Sequence, residues 1–108
     1  MSTLSTHVLD TALGRPAPGI RIVLERDGAT LGSGVTDADG RVRDLAGGTP
    51  LAEGSYRLTF HVGDYFAAAK RASFYSRIAV DFRIGTASEH YHVPLLLSPY
   101  GYATYRGS

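Results

Sequence analysis

Short runs of alternating apolar and polar residues constrain the fold of this chain more than any other feature. The clearest run places Tyr56, Leu58 and Phe60 on one side and Arg57 and Thr59 on the other. Side chains alternate between the two faces of a β-strand, so such a run predicts a strand with one face in the core and one in water. Thirteen glycines and five prolines separate the runs, which predicts an all-β sandwich or barrel.

About eight strands are expected from this pattern. In chain order they cover residues 4–9, 20–25, 30–36, a short stretch from Arg41, 56–62, 78–84, 91–97 and 102–106. The segment 64–72 departs from the alternation, because it is rich in alanine and begins with Asp64, a suitable N-cap. We therefore predict one short helix there, and loops at the glycine- and proline-rich segment 14–19 and at the Asp39-Gly40 turn.

Composition excludes several classes of function. A chain of 108 residues is expected to form a single domain over 1–108, too small for a large enclosed cavity. Its 11 basic and 10 acidic residues are scattered, so we expect no nucleic-acid partner. The absence of cysteine excludes disulfides, thiol nucleophiles and thiolate zinc sites. No signal peptide and no apolar stretch of membrane-spanning length can be recognised, so we expect a cytoplasmic protein without membrane contact.

The polar residues with most chemical potential lie near both ends of the chain. His90 and His92 are two residues apart, so a strand would place both imidazoles on one face. Their role stays open at this point between a structural one, a metal site lacking an evident third ligand, and metal-free acid–base chemistry. His7 lies in the first predicted strand, and Arg41 follows a turn with its guanidinium available to a carbonyl-rich ligand. No serine-nucleophile elbow or phosphate loop is present.

Taken together, these segments resemble the 5-hydroxyisourate hydrolases, a transthyretin-related family. The resemblance spans essentially the whole chain and rests on Leu4-Ser5-Thr6-His7-Val8-Leu9-Asp10 with Gly14-Arg15-Pro16-Ala17, Thr36-Asp37-Ala38-Asp39-Gly40-Arg41, Gly63-Asp64-Tyr65-Phe66, His90-Tyr91-His92-Val93-Pro94-Leu95-Leu96-Leu97-Ser98 and Tyr105-Arg106-Gly107-Ser108. The two C-terminal motifs are the most specific, whereas the Asp-Gly turn alone would be weak.

The resemblance implies a fold, an assembly and a reaction. The fold is a transthyretin-like (prealbumin-like) Greek-key β-sandwich with one short helix, and the assembly is a homotetramer, a dimer of dimers with sites in the channel between dimers. The reaction is lactam ring opening of 5-hydroxyisourate to 2-oxo-4-hydroxy-4-carboxy-5-ureidoimidazoline, without metal or other cofactor.

Residue roles are also implied by the resemblance. The family pattern assigns catalysis to His7, Arg41 and His92, with Ser108 supporting, and it treats His90 as a flanking residue. Substrate binding is implied for His7, Arg41 and Tyr105. Which histidine is the general base stays open.

Two other functions remain as alternatives. A carrier of small aromatic ligands, as in transthyretin, predicts tight binding without ring opening. A zinc protein using His90 and His92 predicts stoichiometric metal and loss of activity on chelation. Tyr91, Tyr100, Tyr102 and Tyr105 are concentrated in the last two predicted strands, which favours burial of their rings at an interface between copies.

Overall fold

The protein folds into two β-sheets packed face to face, with one short helix. The computed structural model describes residues 2–108. The strands are β1 (Thr3–Asp10), β2 (Arg15–Pro16), β3 (Arg21–Arg26), β4 (Ala29–Val35), β5 (Arg41–Val42), β6 (Gly54–Phe60), β7 (Ile78–Ile84), β8 (His90–Ser98) and β9 (Gly101–Thr104), and the helix α1 is Val62–Ala68. This architecture confirms the predicted all-β, transthyretin-like sandwich with one short helix.

The first sheet positions the candidate site. Its order is β2-β1-β8-β9, and β5 pairs with the same edge of β1 as β2 does. The first strand runs parallel to β8, which places Thr3 opposite His90 and Ser5 opposite His92. A buried hydrogen bond of 2.6 Å, donated by the Thr6 hydroxyl to the Val93 carbonyl, reinforces this register. The opening and the end of the chain are therefore neighbours in one sheet.

The second sheet has the order β4-β3-β6-β7 and is antiparallel throughout. Its inner residues, including Leu24, Leu58 and Phe60, are fully buried against inner residues of the first sheet such as Leu4 and Leu95. Burial of a large aliphatic or aromatic side chain contributes roughly 1.5–3 kcal/mol, so this alternation supplies the main stabilising contribution. The predicted core faces of the strands are confirmed.

The helix differs from the prediction at both ends. It begins at Val62 instead of Asp64 and ends at Ala68, before the predicted Ala72. Asp64 lies in the first turn, and His61 is the N-cap without a side-chain capping bond. Burial decides the start, because Val62 is fully buried and anchors the first turn to the core. The helix ends before Lys70, because the backbone of Lys70 has a left-handed φ of 55° and cannot continue an α-helix.

Two further details were not predicted. A two-residue strand, β2, lies within the segment 14–19 that was expected to be a loop only. Tyr91 is buried in the core and its hydroxyl accepts a hydrogen bond of 2.9 Å from the Gly85 N–H, so its placement at an interface was wrong. Tyr91 points inward because it alternates with His90 and His92, which point outward. Among residues 2–108, no helix has the length and apolarity needed to cross a membrane.

Candidate active site

A cluster of polar side chains covers the outer face of the first sheet where β1, β5 and β8 meet. We call it the histidine cluster, and its members are Ser5, His7, Arg41, His90 and His92. Ser5 and His7 alternate with buried residues of β1. Arg41 pairs directly with His7 across β1 and β5, while Ser5 pairs with His92 across β1 and β8. Three segments far apart in sequence therefore converge on one surface.

The Asp37–Arg41 turn fixes the position of Arg41. The Asp37 carboxylate accepts hydrogen bonds from the backbone N–H groups of Asp39 and Arg41, at 2.9 and 3.0 Å. The bond from the Arg41 N–H is the main reason that the pKa of Asp37 is lowered. Gly40 has a φ of 74°, and a Cβ there would collide with the Val8 carbonyl oxygen, so this turn requires glycine. The segment is a turn, as predicted, and it starts β5 at Arg41.

The side chains of His7 and Arg41 are free to bind a ligand. Both are half-buried, and neither makes a side-chain hydrogen bond or ion pair with any residue in the described range 2–108. A cleft of about 150 Å³ lies beside Arg41, lined by Ser5, Thr6, Arg41, Val42, Arg43 and His90. An unpaired guanidinium at the wall of a cleft is suited to a carbonyl-rich or anionic ligand.

His92 is held by two neighbours. Its Nδ1 lies 2.8 Å from the Ser5 hydroxyl, and its backbone carbonyl accepts a hydrogen bond of 2.8 Å from the Gly107 N–H. A Cβ at Gly107 would lie 2.6 Å from the imidazole Cδ2, so only glycine lets the C-terminal segment lie this close. Burial lowers the pKa of His92, and the charge of Arg41 lowers it further. The imidazole is therefore kept neutral near pH 7, as a general base requires.

The predicted site residues do not all meet within one chain. His7, Arg41 and His92 are brought together on the outer face. Tyr105 lines a different groove, of about 310 Å³ between β7 and the C-terminal segment, together with Val80, Phe82, Tyr91 and Val93. Ser108 follows Gly107, which lies against His92. Ser108 itself has no hydrogen-bond partner among residues 2–108. The functions predicted for Tyr105 and Ser108 stay predictions.

Sequence reasoning missed the hydrogen bonds that connect the histidines. The Ser5 hydroxyl contacts His90 Nε2 as well as His92 Nδ1, both at 2.8 Å, and Thr3 Oγ1 lies 2.6 Å from His90 Nδ1. The common face of His90 and His92 was predicted, but their link through Ser5 requires the parallel register of β1 and β8. No group of three or more His, Asp or Glu side chains in residues 2–108 is arranged to hold a metal ion.

A second polar cluster lies at the C-terminal end of β1, on the face that points into the core. The Asp10 side chain is fully buried, and its carboxylate accepts hydrogen bonds from Arg71 at 2.7 Å, from the Tyr65 hydroxyl at 2.8 Å and from the Leu13 N–H at 3.1 Å. Burial alone would raise the pKa of Asp10, but these hydrogen bonds outweigh it and leave the pKa lowered. This Asp10 cluster ties β1 to the helix and to the segment after it.

Comparisons with known proteins find similar sequences and similar folds. A model of the HIUase/Transthyretin family matches residues 4–107. The chain is 53% identical to a 5-hydroxyisourate hydrolase 2 of Rhizobium meliloti, over 97% of this chain and 95% of the relative. The solved structure of Klebsiella pneumoniae 5-hydroxyisourate hydrolase has a TM-score of 0.94 at 47% identity and covers all of both chains. Sea bream transthyretin in complex with thyroxine has a TM-score of 0.88 at 29% identity, covering 97% of this chain and 94% of that one.

Proposed function

The chain belongs to the HIUase/Transthyretin family, and we propose that it hydrolyses 5-hydroxyisourate at the histidine cluster. The relatives at 47% and 53% identity are named for that activity, whereas the transthyretin is 29% identical. The observation that carries the assignment is the convergence of His7, Arg41 and His92 on one face with the guanidinium unpaired. The protein is a cyclic amide hydrolase acting on a product of urate oxidation.

The reaction opens the six-membered lactam ring by attack of water on its carbonyl. The product is 2-oxo-4-hydroxy-4-carboxy-5-ureidoimidazoline. This chemistry needs a base for the water, a proton for the leaving ring nitrogen, and positive charge near the developing oxyanion. His92, with its lowered pKa, is neutral at pH 7 and takes the proton from water, and the imidazolium that forms gives this proton to the ring nitrogen as the C–N bond breaks. His7 positions the same water from the neighbouring strand.

Arg41 has a separate role in binding. Its planar guanidinium matches the carbonyl and amide edges of a urate-like ring, and no carboxylate of residues 2–108 lies within 4 Å to compete for it. As negative charge develops on the carbonyl oxygen, the same group stabilises it. Tyr105 lines a separate groove of the same chain, so in this proposal it contacts the substrate from another copy in the assembly. The Ser108 hydroxyl orients a histidine proton. These residues perform the hydrolysis with no metal or organic cofactor.

The functional unit is a homotetramer, a dimer of dimers with the sites in the channel between dimers. Support comes from the exposed aromatic side chains near the β8–β9 turn, where Phe74 is 73% exposed and Tyr100 is 68% exposed. Such a patch is typical of a surface that another protein covers. Light scattering is expected to give four times the 11.5 kDa chain mass. A monomer that is fully active would contradict a channel site.

The activity is tested by the ultraviolet absorbance of 5-hydroxyisourate generated in place by urate oxidase. Decay faster than the spontaneous rate, unchanged by a chelator, is the expected result. A chelator that abolishes the acceleration would instead support a zinc enzyme. Decay at the spontaneous rate would refute the hydrolase assignment and leave a carrier of small aromatic ligands, to be tested by saturable binding of thyroxine or another phenolic ligand.

A further inference from the structure

Four side chains on the outer face of β1 and β8 form one continuous hydrogen-bonded chain. It runs from Thr3 Oγ1 to His90 Nδ1 at 2.6 Å, from His90 Nε2 to the Ser5 hydroxyl at 2.8 Å, and from that hydroxyl to His92 Nδ1 at 2.8 Å. We propose that Ser5 and His90 are positioning residues, which fix the tautomer of His92 so that its Nε2 is the unprotonated atom facing the substrate. The inference rests on the proposed hydrolysis at the histidine cluster.

The number of hydrogens available in this hydrogen-bonded chain limits the direction in which its hydrogen bonds can run. The Ser5 hydroxyl has one hydrogen, so it donates to one neutral imidazole and accepts from the other. In one direction His92 Nδ1–H donates to Ser5, Ser5 donates to His90 Nε2, and His90 Nδ1–H donates to Thr3. In the other direction every bond is reversed, and His92 then carries its proton on Nε2. Only the first direction leaves His92 Nε2 able to accept a proton from water.

The surroundings favour the first direction. Burial and the charge of Arg41 lower the pKa of His92, and a hydrogen bond to the Ser5 backbone opposes this lowering. A backbone carbonyl only accepts hydrogen bonds, so a proton is favoured on the side of the imidazole that faces Ser5, where Nδ1 lies 2.8 Å from the Ser5 hydroxyl. The end of the hydrogen-bonded chain at Thr3 is exposed, so the Thr3 hydroxyl can accept from His90 and donate its own hydrogen to water. Every member of the chain is then satisfied, and its direction is fixed before the substrate arrives.

The fold explains why these four residues meet. Thr3 and Ser5 alternate outward on β1, as His90 and His92 do on β8, and the parallel register places each pair side by side. Shifting the register by one residue would turn the hydroxyls away from the imidazoles. The 2.8 Å contacts are within the normal range for a hydrogen bond between a nitrogen and a hydroxyl oxygen.

The direct test is the tautomer of His92 measured by nitrogen-15 NMR of the imidazole, in the unliganded protein above the pKa of its histidines. Wild-type His92 is expected to carry its proton on Nδ1. In Ser5→Ala the Nε2–H form is expected to appear, and turnover to fall roughly threefold to tenfold, because one hydrogen bond sets the preference. The Michaelis constant is expected to change less than turnover, and Ser5→Thr, which restores a hydroxyl, to recover both the tautomer and the rate.

Substitutions at His90 separate hydrogen bonding from packing. His90→Gln keeps an oxygen acceptor for the Ser5 hydroxyl, so it is expected to retain the Nδ1–H form of His92 and to keep a higher turnover than His90→Phe. His90→Phe keeps a ring but removes the acceptor, so it is expected to behave like Ser5→Ala. Thr3→Val, at the exposed end of the chain, is the matched control with the smallest expected effect.

Two results would overturn the proposal. One is a wild-type His92 that carries its proton on Nε2, and the other is a Ser5→Ala protein with unchanged tautomer and turnover. The NMR measurement needs no substrate, so it remains informative even if wild-type protein fails to accelerate 5-hydroxyisourate decay. Failure of the hydrolase assignment and failure of the hydrogen-bonded chain are therefore distinguishable.

Discussion

Strand β1 carries two polar clusters three residues apart, and they differ in how completely their charges are paired. On the outer face, His7 and Arg41 have no side-chain hydrogen bond or ion pair within the described chain. On the inner side, the Asp10 carboxylate is fully buried and accepts four hydrogen bonds, two from Arg71, one from Tyr65 and one from the Leu13 N–H. Polar groups left unpaired are available to a substrate, whereas fully paired groups stabilise the fold.

Arg71 and Arg41 show the same contrast between a paired and an unpaired charge. Arg71 lies 2.7 Å from Asp10 and 5.0 Å from the ring centroid of Phe66, so its charge and its planar face are both used within the fold. Arg41 is half-buried without a carboxylate in contact, and its charge acts on His92. Residue type alone does not separate these roles. What separates them is whether a carboxylate of the fold pairs with the guanidinium.

The largest expected effect is on catalysis at the histidine cluster. His92→Ala is expected to lower turnover by about 10²–10⁴-fold, because it removes the base that takes a proton from water. Thermal unfolding should show a folded protein, since His92 is on the outer face of the sheet. A variant with the wild-type rate would remove His92 from the mechanism.

The second effect is on stability at the paired cluster. Asp10→Asn is expected to lower the free energy of unfolding by about 2–3 kcal/mol, because it leaves the Arg71 charge without its buried partner. Urea denaturation measures this change. The matched control is Asp81→Asn, which breaks the exposed Arg57–Asp81 pair and is expected to leave the urea midpoint essentially unchanged.

The Asp10–Arg71 pair also makes the free energy of unfolding depend on pH, with a defined sign. The folded pKa of Asp10 is lowered, so its carboxylate contributes stability that is fully present above the unfolded pKa of about 3.9. That contribution is lost as the pH falls through the folded pKa. The stability difference between wild type and Asp10→Asn should therefore shrink in acid, and a difference that grows in acid would contradict the assigned pairing.

The third effect separates binding from chemistry at Arg41. Arg41→Lys keeps the charge but loses the planar pair of donors, so it is expected to raise the Michaelis constant more than it lowers turnover. Steady-state kinetics over a range of substrate concentrations give both values. The opposite pattern would assign Arg41 mainly to stabilising the oxyanion.

The smallest effect is on the pH profile of kcat/KM. The pKa of His92 is lowered from its ordinary value of 6.5, so the acid limb of the profile is expected below pH 6.5. Activity is lost there because protonation removes the base. Arg41→Gln removes a nearby positive charge, so the limb should move upward towards 6.5. A limb that moves downward would show that Arg41 does not lower this pKa.

The sequence predicted what depends on local pattern. Alternation in β6 and β7 identified the core faces, and the two-residue spacing of His90 and His92 identified the face that they share. The predicted limits of the helix were wrong. Asp64 was chosen as the N-cap because of its residue type, but the helix begins at Val62, whose burial anchors the first turn to the core. Local propensity is a weak guide where tertiary contacts compete with it.

What the sequence could not predict depends on which strands become neighbours. Ser5 bridges two histidines only because β1 runs parallel to β8, and no pattern within either strand encodes that pairing. Asp10 meets Arg71 across 61 positions of sequence, and a carboxylate at an inward strand position gives no sign of its partner. The sequence therefore predicted residues of the histidine cluster, but it predicted neither the contacts within that cluster nor the Asp10 cluster.

The most direct test of the division between the two clusters compares His92→Ala and Asp10→Asn in one assay. Both variants are kept at a temperature where circular dichroism shows them folded, and the absorbance decay of 5-hydroxyisourate is followed at equal concentrations of folded protein. We expect Asp10→Asn to match the wild-type rate and His92→Ala to approach the spontaneous rate. An Asp10→Asn protein as slow as His92→Ala, or a fully active His92→Ala protein, would contradict the account.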